Sequence, residues 1–292
     1  MRRFLAIART AAIETMSQPL SAILFPVSAL AVHVLPSLQY HRFGVPGRLA
    51  RETGLSSLFV FGLLFAVPAA VRAIGRELEC GTAAPVLALG VSRPLYFMAR
   101  LSGVLAVFAL FFAGVLSATL LSSFSCVKAS TIVVEHGVVR VWGPAFAVGV
   151  SGAILAFAAA AFMNRFANRR FCMWTCIFTV AFQIPGLLFL DGVSPVVSAL
   201  PAFSSLAAAC VVYIVMAGAL AVRLKANWVA SLVTAAAVAG FLAPVGFLVP
   251  DMRVFWLEEG GGAALMPIAA GIALAALWSL IGCVMLERKE LE

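Results

Sequence analysis

Long apolar runs alternate along the chain with short polar segments punctuated by Gly and Pro, and the lengths of the runs set the first expectation. Residues 20–36, 55–74, 101–123, 143–163, 171–190, 202–222, 228–249 and 264–286 are each close to the length of a bilayer-crossing helix, for which roughly 20 apolar residues suffice. The pattern predicts eight membrane-spanning helices. Gln183, Pro185, Asp191, Pro195 and Pro201 interrupt two neighbouring runs and allow a broken or re-entrant helix there instead, which is supportable only when packed in protein; the count then falls to six or seven. Pro26 loosens the first run and Pro36 closes it, and residues 37–54 read as a loop broken by Gly44, Pro46, Gly47 and Gly54. In the fourth run Ala145, Gly149, Ala153, Gly152, Ala156 and Ala160 recur at helical spacing, the pattern of a closely packed helix face.

Before the first run, residues 1–18 follow a different period. At 100° per residue Phe4, Leu5, Ile7, Ala8, Ala11, Ala12 and Met16 fall on one half, and Arg2, Arg3, Arg9, Thr10, Glu14 and Ser17 on the other, Ile13 being the exception. This is the pattern of an amphipathic helix lying at a membrane interface.

Composition confirms the class. Of 292 residues, 63% are hydrophobic and only 11% charged, against about 25% charged in soluble domains. The chain reads as an all-α polytopic membrane protein with about eight (six to eight) transmembrane helices, forming one membrane domain over residues 1–292. The formal net charge of +8 does not imply nucleic acid, because the basic residues fall in short groups between apolar runs and not on one face or stripe. Their distribution sets the orientation instead. With the N-terminus inside, the inner segments carry fourteen Lys and Arg (Arg2, Arg3, Arg9, Arg72, Arg76, Arg93, Arg100, Arg165, Arg169, Arg170, Arg223, Lys225, Arg288, Lys289) and the outer ones six (Arg42, Arg48, Arg51, Lys128, Arg140, Arg253). Both termini are therefore expected in the cytoplasm. Of the six cysteines only Cys126 falls in an outer segment, so no disulfide framework is implied.

Reactive chemistry is sparse. No charged residue falls inside the eight runs except Arg72 at the end of the second, which removes the ionisable group that an ion-coupled carrier needs in its bundle. His33 and Gln183 read as single interhelical hydrogen-bonding groups. Cys172 and Cys176 sit one helical turn apart but lack further ligands for a metal. His33, His41 and His136 have no HExxH spacing, and neither GxSxG nor a GxxxxGK[ST] phosphate loop occurs. No cofactor is expected in this chain, and if ATP drives it, another polypeptide binds the nucleotide.

The one informative polar stretch lies between the second and third runs, residues 72–100, and carries four arginines and two glutamates. Arg76, Glu77 and Glu79 prolong the second span into water; Gly81 and Thr82 break it; Thr82 is placed to cap a short apolar helix containing Val86, Leu87 and Leu89, which Gly90 ends. Ser92 then caps the start of the third span, with Arg93 and Pro94 in its first turn. A short apolar helix between charged flanks suits either a partner's groove or the lipid interface.

Arg76-Glu77-Leu78-Glu79-Cys80-Gly81-Thr82, then Leu87 and Leu89, then Val91-Ser92-Arg93, resembles the hallmark of the type-2 ABC transporter permeases: an acidic-x-acidic-x-Gly-Thr run, a leucine-rich short helix and a Pro-Val-Ser-Arg turn. Gly90 stands where that family usually carries proline. The N-terminal helix is similar to the family's interfacial helix, Pro250-Asp251-Met252-Arg253-Val254-Phe255-Trp256 resembles its last outer turn, and Leu286-Glu287-Arg288-Lys289-Glu290-Leu291 is similar to its F-x-R-R-E-L ending. The resemblance implies a permease subunit of an ABC exporter in a bacterial inner (plasma) membrane, without an ATPase site of its own. Its partners would be a second permease copy or paralogue, membrane lipid, and cytoplasmic ATP-binding cassettes holding ATP and Mg. It implies that Arg76, Glu77, Glu79, Gly81, Thr82, Val86, Leu87, Leu89, Ser92 and Arg93 form the cassette-coupling segment, with 83–89 as a cytoplasmic coupling helix. A cassette-independent secondary transporter and a non-transporting membrane assembly subunit are the competing readings.

Overall fold

The computed structural model describes residues 1–38, 46–136, 144–168, 170–187, 194–225, 228–229, 232–233, 236–237 and 265–289. Among them there is no strand. The helices are α1 (Arg2–Met16), α2 (Pro19–Leu38), α3 (Pro46–Val71), α4 (Glu77–Glu79), α5 (Ala83–Ala88), α6 (Arg93–His136), α7 (Pro144–Ala167), α8 (Phe171–Ala181), α9 (Ile184–Leu187), α10 (Ser194–Leu220) and α11 (Leu265–Glu287). Six helical stretches are long and apolar enough to cross a membrane: Pro19–Pro36, Ala50–Glu79, Arg93–Phe124, Gly149–Ala167, Leu200–Leu220 and Ile268–Glu287. The chain is an all-α polytopic membrane protein.

Three expectations change. The run 171–190 is not one span: α8 has 11 residues, about 16 Å of helix against the ~30 Å of a hydrocarbon core, and a turn at Phe182 and Gln183 separates it from α9. Residues 46–54 are helical, not a loop. Pro46 takes the first position of α3, where its missing N–H costs nothing. Gly54 lies so close to Thr119 that a Cβ would stand 2.6 Å from its methyl carbon, so this glycine marks a helix contact and not a break. Finally, the third span belongs to a helix of 44 residues running on to His136. The run 228–249 and the segment 250–256 lie mostly or wholly outside the described residues.

The chain falls into two compact units. One comprises Met16–Phe61 and Ala109–Phe203. Here α2, α7 and α8 pack on one another. The small face of α7 is used as expected: Ala153, Ala156 and Ala160 are buried, and Gly152 faces the Phe182 carbonyl, where a Cβ would sit at 3.2 Å. Phe25 and Phe111 meet edge to face, centroids 5.1 Å apart. The Ser122 hydroxyl donates to the Val32 carbonyl at 2.9 Å, tying α6 to α2.

The other unit comprises Met1–Thr15, Gly62–Phe108 and Ser204–Glu292. Its core includes Phe65, Ile74, Phe97, Leu101, Leu206, Tyr213 and Ile214. The N-terminal helix forms over the residues its periodicity predicts, and Ala11 and Thr15 are its buried positions. It packs on α6 at Gly103, where a Cβ would stand 2.7 Å from the Ala11 Cβ, 3.0 Å from the Ala12 nitrogen and closer still to the Ala8 carbonyl. Gly103→Val is therefore expected to push α1 off α6, at a cost of about 1–3 kcal/mol. Limited proteolysis of the full chain checks this: cleavage within residues 2–16 should accelerate while the rest of the bundle stays protected.

Candidate functional site

The polar stretch begins inside a continuous helix. After Val71 the backbone widens into a π turn, Arg72–Arg76, before α4 restores α geometry. Turns of this kind recur at functional sites. Here the widened turn presents the Ala73 carbonyl to the Nε of Arg100, 3.1 Å away. Glu77, the first residue after it, is directed inward.

Arg100 is the centre of the local electrostatics. Only 3% of it is exposed, although it stands in the first third of the apolar stretch Arg93–Phe124. One guanidinium nitrogen donates to Glu14 of α1 at 2.9 Å, and the other pairs with Glu77. Glu77 also accepts the Tyr96 hydroxyl, one turn before Arg100 on α6. The arginine thus joins α1, the π turn and α4 to α6. Glu14 keeps half its side chain in contact with solvent, whereas Glu77 keeps 23%, so the Glu77 carboxylate depends more on Arg100 for its charge compensation.

Between Glu77 and Arg100 the segment is built as expected in outline, with two local corrections. Gly81 and Gly90 both have left-handed backbones, φ +70° and +76°, and they delimit α5 at its two ends. The value at Gly90 is one that proline, locked near φ −65°, cannot adopt. The turn is held instead from α1, whose Arg3 donates to the carbonyls of Leu89 and Gly90 at 3.2 and 3.4 Å. Thr82 does not cap α5: its backbone is already helical, with no side-chain bond to the helix start, and its hydroxyl donates back to the Glu77 carbonyl at 3.3 Å. The short helix also ends at Ala88, not Leu89. Ser92 does occupy the position before α6, its carbonyl accepting the Tyr96 N–H at 3.0 Å.

The remaining predicted residues divide by exposure. Arg76, Glu79, Gly81 and Thr82 are exposed; Val86 and Leu87 are half-buried; Leu89 is 72% exposed. With Ala84, Pro85 and Ala88 also exposed, α5 presents an apolar surface between polar neighbours. Arg93 turns away from α5 and donates to the carbonyls of Glu287 and Lys289 at the end of α11, both at 2.8 Å.

Four contributors were not assigned roles from the sequence: Arg100, Glu14, Tyr96 and Arg3. A signal for two of them exists. Arg100 is flanked on both sides by apolar residues at the start of a long apolar run, and Glu14 is the one acidic residue among residues 1–18. Each asks for a partner.

In the other unit, His33 and Gln183, which read separately as single hydrogen-bonding groups, bond each other. The His33 Nε2 lies 3.3 Å from the Gln183 Oε1, and the Gln183 side-chain nitrogen donates to the Gly149 carbonyl at 3.1 Å. One network therefore pins α2, α7 and the turn after α8. Cys176, buried, is directed at the Met16 carbonyl at 3.9 Å, and among the described residues no group of three potential metal ligands occurs.

Comparison with protein-family models, with curated proteins and with solved structures returns no match.

Proposed function

We propose that this chain is the permease subunit of an ATP-driven exporter in a bacterial inner membrane, with both termini in the cytoplasm, and that α5 is the helix on which a separate ATP-binding cassette acts. The observation that carries the reading is the isolation of α5. An apolar surface of six residues, bounded by two left-handed glycines, stands on a base clamped by Arg100, Glu77 and Glu14. Leucine exposed on such a projection is costly in water and suits a partner's groove. The clamp supports a mechanical role, since a displacement of α5 reaches α1 and α6 through side chains that are buried or half-buried.

In this reading the cassette dimer closes on ATP, shifts α5 and so drives the permease with a second copy or paralogue. No catalytic residue is required in the membrane subunit. A secondary carrier needs an ionisable group free to change partners during the cycle, and Arg100 instead holds three partners at once.

The test is co-expression of the full chain with the cassette subunit encoded beside it. Wild type should co-purify with the cassette and alter its ATPase rate. Leu87→Asp should weaken co-purification by about tenfold or more, the loss expected when a buried leucine contact becomes a desolvated carboxylate. Co-purification and ATPase response both unchanged in Leu87→Asp would sink the assignment.

A further inference from the structure

Helix C-termini leave their last carbonyls without intrahelical partners and carry partial negative charge. In the unit formed by Met1–Thr15, Gly62–Phe108 and Ser204–Glu292, three such ends receive a cationic side chain from another element. Arg3 serves α5, as described above. Arg93 serves α11, through Glu287 and Lys289 at 2.8 Å and Leu286 at 3.5 Å. Lys289 in turn donates to the Val222 carbonyl, just beyond α10, at 2.8 Å.

The last two contacts are in series. Arg93, the first residue of α6, holds the carbonyl of Lys289, and the side chain of Lys289 holds the chain beyond α10. The rest of α11 is secured by close contacts of small residues, Gly271 against Ala208 and Gly282 against the Phe97 ring, while Ile272, Leu277, Leu280 and Val284 stay exposed. Helix α11 thus has an apolar contact surface with little side-chain relief to fix its axial position. Directional polar bonds at its end supply that definition.

We propose that residues 286–289 act as a strap that fixes the exit of the 72–100 segment to the ends of α10 and α11, with Arg93 and Lys289 as its positioning residues. The inference does not rest on the transport reading; it concerns where the segment is held, whatever docks on it. Because the two links are in series, breaking either one frees the strap, and breaking both adds little. All three Arg93 bonds come from a single nitrogen, so an ammonium at that position can replace them in kind.

The experiment is amide hydrogen exchange on the full chain in detergent, read over residues 83–96, for Arg93→Met, Lys289→Met, the double variant and Arg93→Lys. Each methionine variant should accelerate exchange there by about tenfold, the scale of a lost hydrogen bond to a charged donor. The double variant should exceed the faster single by no more than about twofold, as expected of coupled sites. Arg93→Lys should retain most of the wild-type protection. The response to Lys289→Met is the decisive readout, because that side chain touches Val222 and not the segment being measured. Unchanged exchange over 83–96 in Lys289→Met, multiplicative effects in the double variant, or Arg93→Lys as fast as Arg93→Met would each overturn the strap. Should Arg93→Met fail to fold, Lys289→Met and Arg93→Lys carry the comparison alone.

Discussion

Arg100→Met should be the most damaging single change in the 72–100 segment, lowering stability by about 3–5 kcal/mol, the cost of removing one partner from a buried ion pair. The length and apolar packing of the side chain are largely kept, so the loss isolates the charge. What remains is the Glu77 carboxylate, mostly covered and left with Tyr96 as its hydrogen-bond donor, while the half-exposed Glu14 turns to water. This asymmetry makes the prediction sharper than a simple loss. Adding Glu77→Gln to Arg100→Met should recover much of the stability, whereas adding Glu14→Gln should recover little. Thermal unfolding of the purified full chain in detergent measures all four proteins. Equal recovery by the two glutamine variants would contradict the idea that Glu77 is the dependent partner. Under the transport reading, Arg100→Met should also uncouple: the cassette would still bind α5, but its ATPase would no longer respond.

The second large effect is expected at Gly149. A Cβ on this residue would overlap the His33 imidazole, 2.7 Å from Nδ1 and closer to two other ring atoms. The ring cannot retreat without giving up Gln183, and Gln183 cannot follow without giving up the Gly149 carbonyl. Gly149→Ala should therefore cost about 3 kcal/mol, at the upper end of overpacking effects, although alanine is the better helix former in isolation. His33→Ala in the same chain should relieve the clash, leaving the double variant about 1–3 kcal/mol below wild type for the unpaired Gln183 oxygen. Thermal unfolding again decides: a double variant no more stable than Gly149→Ala alone would mean that the clash lies elsewhere.

How much of this was legible depends on the range of the interaction concerned. Span positions are properties of one window of sequence, so hydropathy alone places 20–36, 101–123 and 202–222 close to the helices found. Glycine and proline mislead where their reason is tertiary. Gly54 and Pro46 look like loop residues, yet one makes room for Thr119 and the other starts a helix. The interruption at Gln183 and Pro185 is local, and it was readable as a broken helix. The hydrogen bond from His33 to Gln183 spans 150 residues, and no periodicity reports it. In the 72–100 segment the glycine turns and the short helix follow from local chemistry, whereas the capping bond assigned to Thr82 is lost to a competing acceptor five residues back. Arg100 was visible as a charge and invisible as a clamp, because Glu14 lies 86 residues away and an α-helical wheel carried past Arg72 assigns Glu77 the wrong face.

That last failure gives the π turn at Arg72–Arg76 a meaning beyond its carbonyl. Each residue advances an α-helix by about 100°, and a π turn accommodates one residue more than an α turn. The surplus residue works as a phase shifter: it rotates everything that follows, so that a carboxylate which α geometry would aim elsewhere comes round to Arg100. Shortening the chain by one residue between Arg72 and Arg76 would remove no member of the ion cluster and yet dismantle it, by turning Glu77 out of register. In this part of the molecule the number of residues is as much a determinant of the electrostatics as their identity.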